Sequence, residues 1–226
     1  MEKYSFNISK EEVLRYLGVK GSIEDNITSL IYDCTEELKK IIRFKVTYKV
    51  FTMKTEKEEV LLRNCKLKLK GESIINHLKY CNDCVLFAAT LGGEVDKKIN
   101  YYERISMSKA IILDACATVA IEEGCDFVED EIRKIAIEQG KEITFRFSPG
   151  YGDLDLSIQE SFIQTVEAYK NIGLTVSAHN ILIPRKSVTA IIGFTPKDKK
   201  KEKKSCIRCN RYSNCQFKKV GEVCEF

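Results

Sequence analysis

Apolar positions along the chain change period several times, and each change marks a predicted element. Ser9 and Glu12 form a capping box ahead of Val13, Leu14 and Leu17, and Gly18 closes this first short helix. A second helix follows, with Ile23, Ile27, Leu30, Ile31, Cys34, Leu38 and Ile41 recurring on one face. From Phe44 to Thr52 the period drops to two, the alternation of a half-buried strand. Val60 to Leu69 reads as one or two further strands, and Ser73 to Lys79 as a short helix. Val85 to Thr90 is a compact apolar run ending at Leu91-Gly92-Gly93, as a buried strand would before a tight turn.

From about Met107 to Glu138 the pattern is helical again. Its first half is apolar nearly all round, with Ala110, Ala115, Ala117 and Ala120 permitting close approach, so an interior helix is predicted. Thr144 to Phe147 is predicted as a short strand entering a turn. Ser157 and Glu160 form a second capping box, opening a helix with Ile158, Phe162, Val166 and Tyr169 on one face and Gly173 at its end. Leu174 to Ile183 and Ser187 to Phe194 are β-like, separated by Pro184-Arg185-Lys186. Strands and helices mix without regular βαβ alternation, so the expected class is α+β with a mostly antiparallel sheet and packed helices.

Size and composition refine this picture. A chain of 226 residues with 44% hydrophobic content can build one sizeable domain with a small appendage. The most apolar stretch, Ala110 to Ile121, is too short for a membrane span and contains Asp114, so a cytoplasmic protein is expected. Asp114 needs a partner if buried, and a structural salt bridge or hydrogen bond is the expected solution. Basic residues number 37 and acidic ones 33, but six lysines and two acids lie between Lys197 and Lys204. The remainder holds 31 of each and is formally neutral, a poor footing for nucleic acid. The domain boundaries read as 1–195 for the main body, 196–205 for a lysine-rich linker and 206–226 for a cysteine-rich tail.

The most informative stretch is Arg146-Phe-Ser-Pro149-Gly150-Tyr151-Gly152-Asp153. Chemically it can be a ligand clamp. Arginine offers a planar fork for a carboxylate. Proline and glycine let the backbone approach a ligand, and Tyr151 adds an aromatic body with a polar tip. The plainer reading of the same spacing is a Pro-Gly turn beside a surface arginine.

These residues, and those after them, resemble the reactivation domain of cobalamin-dependent methionine synthase. That family carries an R-x-x-P-G-Y motif, an amphipathic helix, a G-x-x-L-T-like segment and a P-x-x-S-V strand. Here Arg146, Pro149, Gly150 and Tyr151 are followed by the helix from Ser157, then Gly173-Leu174-Thr175, then Pro184, Ser187 and Val188. Upstream, Ala89-Thr90-Leu91-Gly92 and the helix containing Leu113-Asp114-Ala115 look like short anaerobic relatives, so the resemblance covers roughly residues 10–195. The tyrosine that follows the last strand in full-length enzymes is replaced here by the lysine linker.

The resemblance implies that Arg146, Pro149, Gly150 and Tyr151 hold the amino-acid end of S-adenosylmethionine, with Glu122 as a further contact. It implies support of reductive methylation, the reactivation of cob(II)alamin, on a separate cobalamin-binding methionine synthase subunit. A flavodoxin-like or ferredoxin-like donor would supply the electron. No catalytic side chain is expected, because the cobalt is the nucleophile. His77 and His179 are expected to be structural or surface residues.

Cys206, Cys209, Cys215 and Cys224 lie outside the resemblance. All-cysteine sites suit an iron–sulfur cluster or structural zinc, and free or redox-active thiols are the remaining reading. Cys81 and Cys84 are expected in the core rather than as a redox pair. Two rival functions remain open: reactivation of another corrinoid methyltransferase, and a metal-tail adaptor binding protein or RNA.

Overall fold

A computed structural model describes residues 4–197, except 20 and 22. Six strands form one antiparallel sheet in the order β3-β2-β1-β4-β8-β5. They are β1 (Lys45–Thr55), β2 (Glu59–Leu62), β3 (Lys68–Lys70), β4 (Asp83–Thr90), β5 (Lys141–Ile143) and β8 (Ser187–Pro196). A second, two-stranded sheet joins β6 (Thr175–Val176) to β7 (Leu182–Ile183). Helices cover both faces of the large sheet. This is why β4, buried at every position after Asp83, reads as a continuous apolar run rather than an alternating one. Its Val85, Phe87 and Ala89 face the core of α1 (Lys10–Tyr16), α2 (Asp25–Ile41), α4 (Gly93–Ile105) and α5 (Met107–Glu138). Its Cys84, Leu86 and Ala88 face the core of α3 (Glu72–His77), α6 (Gln159–Thr165) and α7 (Ala168–Ile172).

Register follows from that two-sided burial. Strand β4 pairs with β1 from Thr90 opposite Lys45 to Asp83 opposite Thr52. On its other edge β4 pairs with β8 from Asp83 opposite Phe194 to Thr90 opposite Ser187. A one-residue slip would exchange the two apolar faces.

Helix α5 runs 32 residues, about 48 Å at 1.5 Å per residue, and spans the domain. Its small residues permit tight packing. At Gly124 an added Cβ would lie 2.5 Å from the Phe44 ring. At its first half, Asp114 meets Lys186 at 2.9 Å, the expected salt bridge. No helix among the described residues is long and apolar enough to cross a membrane.

Several expectations need correction. Helix α4 follows the Gly92-Gly93 turn and was not predicted, although Val95, Ile99 and Tyr102 lie buried at helical spacing. The strand expected at Thr144–Phe147 sits earlier, at Lys141–Ile143, and Phe147 makes only an isolated bridge to Ile191. The single helix expected from Ser157 is three pieces. Asp155, not Ser157, caps a 3-10 turn at Leu156–Ile158, and α6 then ends before a left-handed Glu167 (φ 54°). That break turns Tyr169 out to 73% exposure. Leu174–Ile183 is a short hairpin, not one strand, because Ser177 to Asn180 form its turn. At the first helix Ser9 caps as expected, accepting the Glu12 N–H, while the Glu12 carboxylate pairs with Arg15.

Candidate functional site

The segment after β5 runs along the edge of β8. Phe147 exchanges backbone hydrogen bonds with Ile191 (2.9 and 2.8 Å) and joins the core on the α3–α6 side. Its neighbour Arg146 points the other way, onto α5. There Glu122, Asp126 and Glu129 stand at i, i+4 and i+7, so their side chains share one face.

The guanidinium is bound by all three. Nη2 lies 3.1 Å from Glu122 Oε2; Nη1 lies 2.5 Å from Asp126 Oδ1 and 3.5 Å from Glu129 Oε2. Arg146 is only 5% exposed. Burial alone would weaken its hold on the proton, but nearby Cys125, Asp126 and Glu122 outweigh it and raise its pKa. The arginine is therefore a fixed positive charge inside an acidic half-ring. Tyr16, at the end of α1, completes this end of the site. Burial first, and then the Glu122 charge, push its phenol up to about 12, so it stays a neutral donor.

Pro149, Gly150 and Tyr151 form a tight turn. Pro149 is buried. Gly150 (φ 91°) and Gly152 (φ 55°) take left-handed conformations that side chains rarely adopt. The Gly150 N–H donates to Leu154 O (2.8 Å) and the Tyr151 N–H to Ser148 O (3.0 Å). Those two backbone donors, expected at the ligand, are spent inside the turn. Tyr151 packs edge-on against Phe147, ring centroids 6.1 Å apart.

Helix α3 braces this turn at both of its ends. The Asp153 carboxylate accepts from the Glu72 and Ser73 N–H groups (2.6 and 2.9 Å). A Cβ at Gly152 would come within 2.5 Å of Ser73, so the contact requires glycine. At the other end, the His77 ring packs against Phe145 (4.4 Å) and Phe147 (5.0 Å), the neighbours of Arg146. His77 Nε2 also lies 2.9 Å from Thr144 Oγ1. His77 thus has a structural place, as expected.

An open groove of about 600 Å³ continues along α5 from Met107 through Ala110, Asp114 and Thr118, with Tyr16, Ile99 and Arg185 on its walls. Thr118 lies one helical turn before Glu122. Lys186 ties the wall down, reaching Asp114 at 2.9 Å and Thr118 at 2.8 Å.

Of the residues singled out from sequence, Arg146 and Glu122 meet directly, and Pro149, Gly150 and Tyr151 form the adjoining turn. Asp126 and Glu129 were missed, although their spacing from Glu122 would have placed them on the same helix face. Asp153 and His77 were missed as braces because only the fold brings α3 to the turn. Cys206, Cys209, Cys215 and Cys224 lie outside the described residues. Among the described residues no group of three or more His, Cys, Asp or Glu side chains could hold a metal. Cys81 and Cys84 are buried, and burial raises both thiols, so they are core residues.

An antiparallel six-stranded sheet with helices packed on both faces and an arginine turn at its β8 edge defines a mixed α+β fold. That fold matches a solved structure described as the MetH reactivation domain bound to AdoHcy, with a TM-score of 0.63. The two chains are 14% identical over 82% of this chain and 73% of the other. No protein-family model and no curated protein matches the chain.

Proposed function

We propose that this chain binds S-adenosylmethionine at the Arg146 turn and supports reductive methylation of cob(II)alamin on a separate cobalamin-dependent methionine synthase. The observation that carries the reading is the meeting of Arg146 and Glu122 at 3.1 Å, 24 residues apart in sequence. The fold shared with the MetH reactivation domain supports it. In this reading the cobalt of the partner supplies the nucleophile, S-adenosylmethionine the methyl group, and a flavodoxin-like or ferredoxin-like protein the electron.

The chain's own work is placement. Arg146 binds the ligand carboxylate through charge-assisted hydrogen bonds in a desolvated setting. Glu122 and Glu129 lie where a cationic ligand group gains from negative charge. Tyr16, Ile99, Ala110 and Ile111 give the α5 groove, which ends one helical turn before Glu122, a largely apolar wall. Holding the donor in one orientation converts methyl transfer into an effectively intramolecular step.

The test mixes this chain, an oxidised cob(II)alamin-loaded methionine synthase, S-adenosylmethionine and a reductant, and follows the corrinoid visible spectrum. Methylated cofactor should form only with this chain present. Equal rates without it would remove the reactivation reading.

The tail Cys206, Cys209, Cys215 and Cys224 belongs to the same proposal as a metal-binding appendage, its four thiolates suiting an iron–sulfur cluster or zinc. Anaerobically purified full-length protein should carry iron with sulfide, or zinc. Loss of bound metal on replacing Cys206 and Cys209 by serine would assign it to the tail. Metal-free protein from iron- and zinc-replete cells would refute it.

A further inference from the structure

We propose that Asp126 is an internal competitor for the clamp: its carboxylate takes the guanidinium position that a ligand carboxylate must occupy, and so sets the affinity and head-group selectivity of the site. The proposal rests on the reading of Arg146 as the carboxylate anchor.

The three carboxylates around Arg146 are not equivalent. Their side chains are 25% exposed at Glu122, 20% at Glu129 and 61% at Asp126, against 6% for Arg146 itself. Asp126 therefore covers the outward edge of an otherwise enclosed guanidinium, the edge that an incoming ligand meets first. It also makes the shortest contact of the three, 2.5 Å to Nη1. Glu122 and Glu129 stay on the helix face beneath. They can keep the arginine charge compensated while Asp126 leaves.

Because Asp126 is exposed, water compensates its carboxylate when it swings away, and release is cheap. The arginine cannot follow it out. Ligand and Asp126 thus exchange on one fixed cation. The apparent affinity is reduced by the fraction of molecules in which Asp126 holds the seat. A ligand carboxylate that engages the planar fork through both oxygens displaces a side chain bound through one, whereas a nucleoside lacking that carboxylate does not.

The experiment is calorimetric titration of S-adenosylmethionine into the full-length wild type, Asp126→Asn, Asp130→Asn and Arg146→Lys. Melting temperatures verify that each variant is folded. Asp126→Asn should bind about 1.5- to fivefold more tightly than wild type, the range expected for removing one partly exposed ion pair.

The sign is diagnostic. S-adenosylmethionine has two positive groups and one negative, so deleting a nearby acid would by simple electrostatics weaken binding. Asp130→Asn removes the acid one helical turn further on, paired with Arg133 at 3.6 Å, and should weaken binding slightly or leave it unchanged. Unchanged or weaker binding by Asp126→Asn, with Arg146→Lys impaired, overturns the competitor and leaves the clamp standing. Wild-type affinity in Arg146→Lys, or no binding by the wild type, overturns the clamp and the competitor together.

Discussion

Asp153 accepts the backbone N–H of Ser73 at 2.9 Å across 80 residues of chain, and so fastens the Pro149–Gly150 turn to a helix from the other half of the fold. Replacing Asp153 by alanine removes the acceptor for two N–H groups at the start of α3. Stability should fall by about 1 kcal/mol, the usual cost of a lost helix cap. Hydrogen bonds from Ser73 hold the Asp153 carboxyl below its ordinary value of 3.8. Its contribution is therefore complete above that value and disappears as pH falls through the lower folded one. Denaturant melts of wild type and Asp153→Asn should converge as the solution is acidified toward pH 2.

Arg146→Ala should weaken S-adenosylmethionine binding by about 2–5 kcal/mol, because one partner of a buried charge pair is lost. It should also lower the melting temperature, since Glu122, Asp126 and Glu129 would then repel one another without a shared cation. Arg146→Lys keeps the charge but not the fork, and should restore stability more fully than binding. A lysine variant that binds as wild type does would overturn the forked clamp at this position.

Gly193 sits where a Cβ would lie 2.5 Å from Cys81 Sγ and 2.7 Å from Leu78. Gly193→Ala should cost about 1–3 kcal/mol by overpacking. Adding Cys81→Ala should recover part of that loss, a coupling that a double-mutant cycle reads directly. Strict additivity would contradict the packing described.

Burial pushes the thiols of Cys34 and Cys81 up to about 12 and raises those of Cys84 and Cys116 as well. Alkylation of native protein at pH 8, read by peptide mass mapping, should leave these four unmodified until denaturant is added. Rapid native modification of Cys81 or Cys84 would restore the redox-pair reading.

Where periodicity was long, the fold was legible. Helix α5 is predicted from Met107 to Glu138 and found between those residues, because 32 residues of pattern average out local exceptions. Strand β4 was legible because burial on both faces leaves no polar position to confuse it. Short elements were not. Helix α4 places charged residues at six of its 13 positions, and only Val95, Ile99 and Tyr102 mark its inward face. The break at Glu167 is invisible locally. It lies where Thr47 of β1 donates to the Val166 carbonyl (3.0 Å) and Lys49 pairs with Glu167, contacts that bridge more than a hundred residues. At the site, the arginine turn was readable as chemistry, but the acidic half-ring needed α5 docked against it.

The position of β8 between β4 and β5 also orders events during synthesis. Ile191, the hydrogen-bonding partner of Phe147, is translated after every other strand has been made. Until it leaves the ribosome, Val85 to Thr90 have an open edge, and the segment bearing Arg146 has no strand to lie against. A nascent chain stopped before Ser187 would hold the four-stranded sheet β3-β2-β1-β4 with its most apolar strand exposed at the margin, a species prone to aggregate. The Arg146 turn and the covered edge of β4 are thus secured by the same ten residues, Ser187–Pro196.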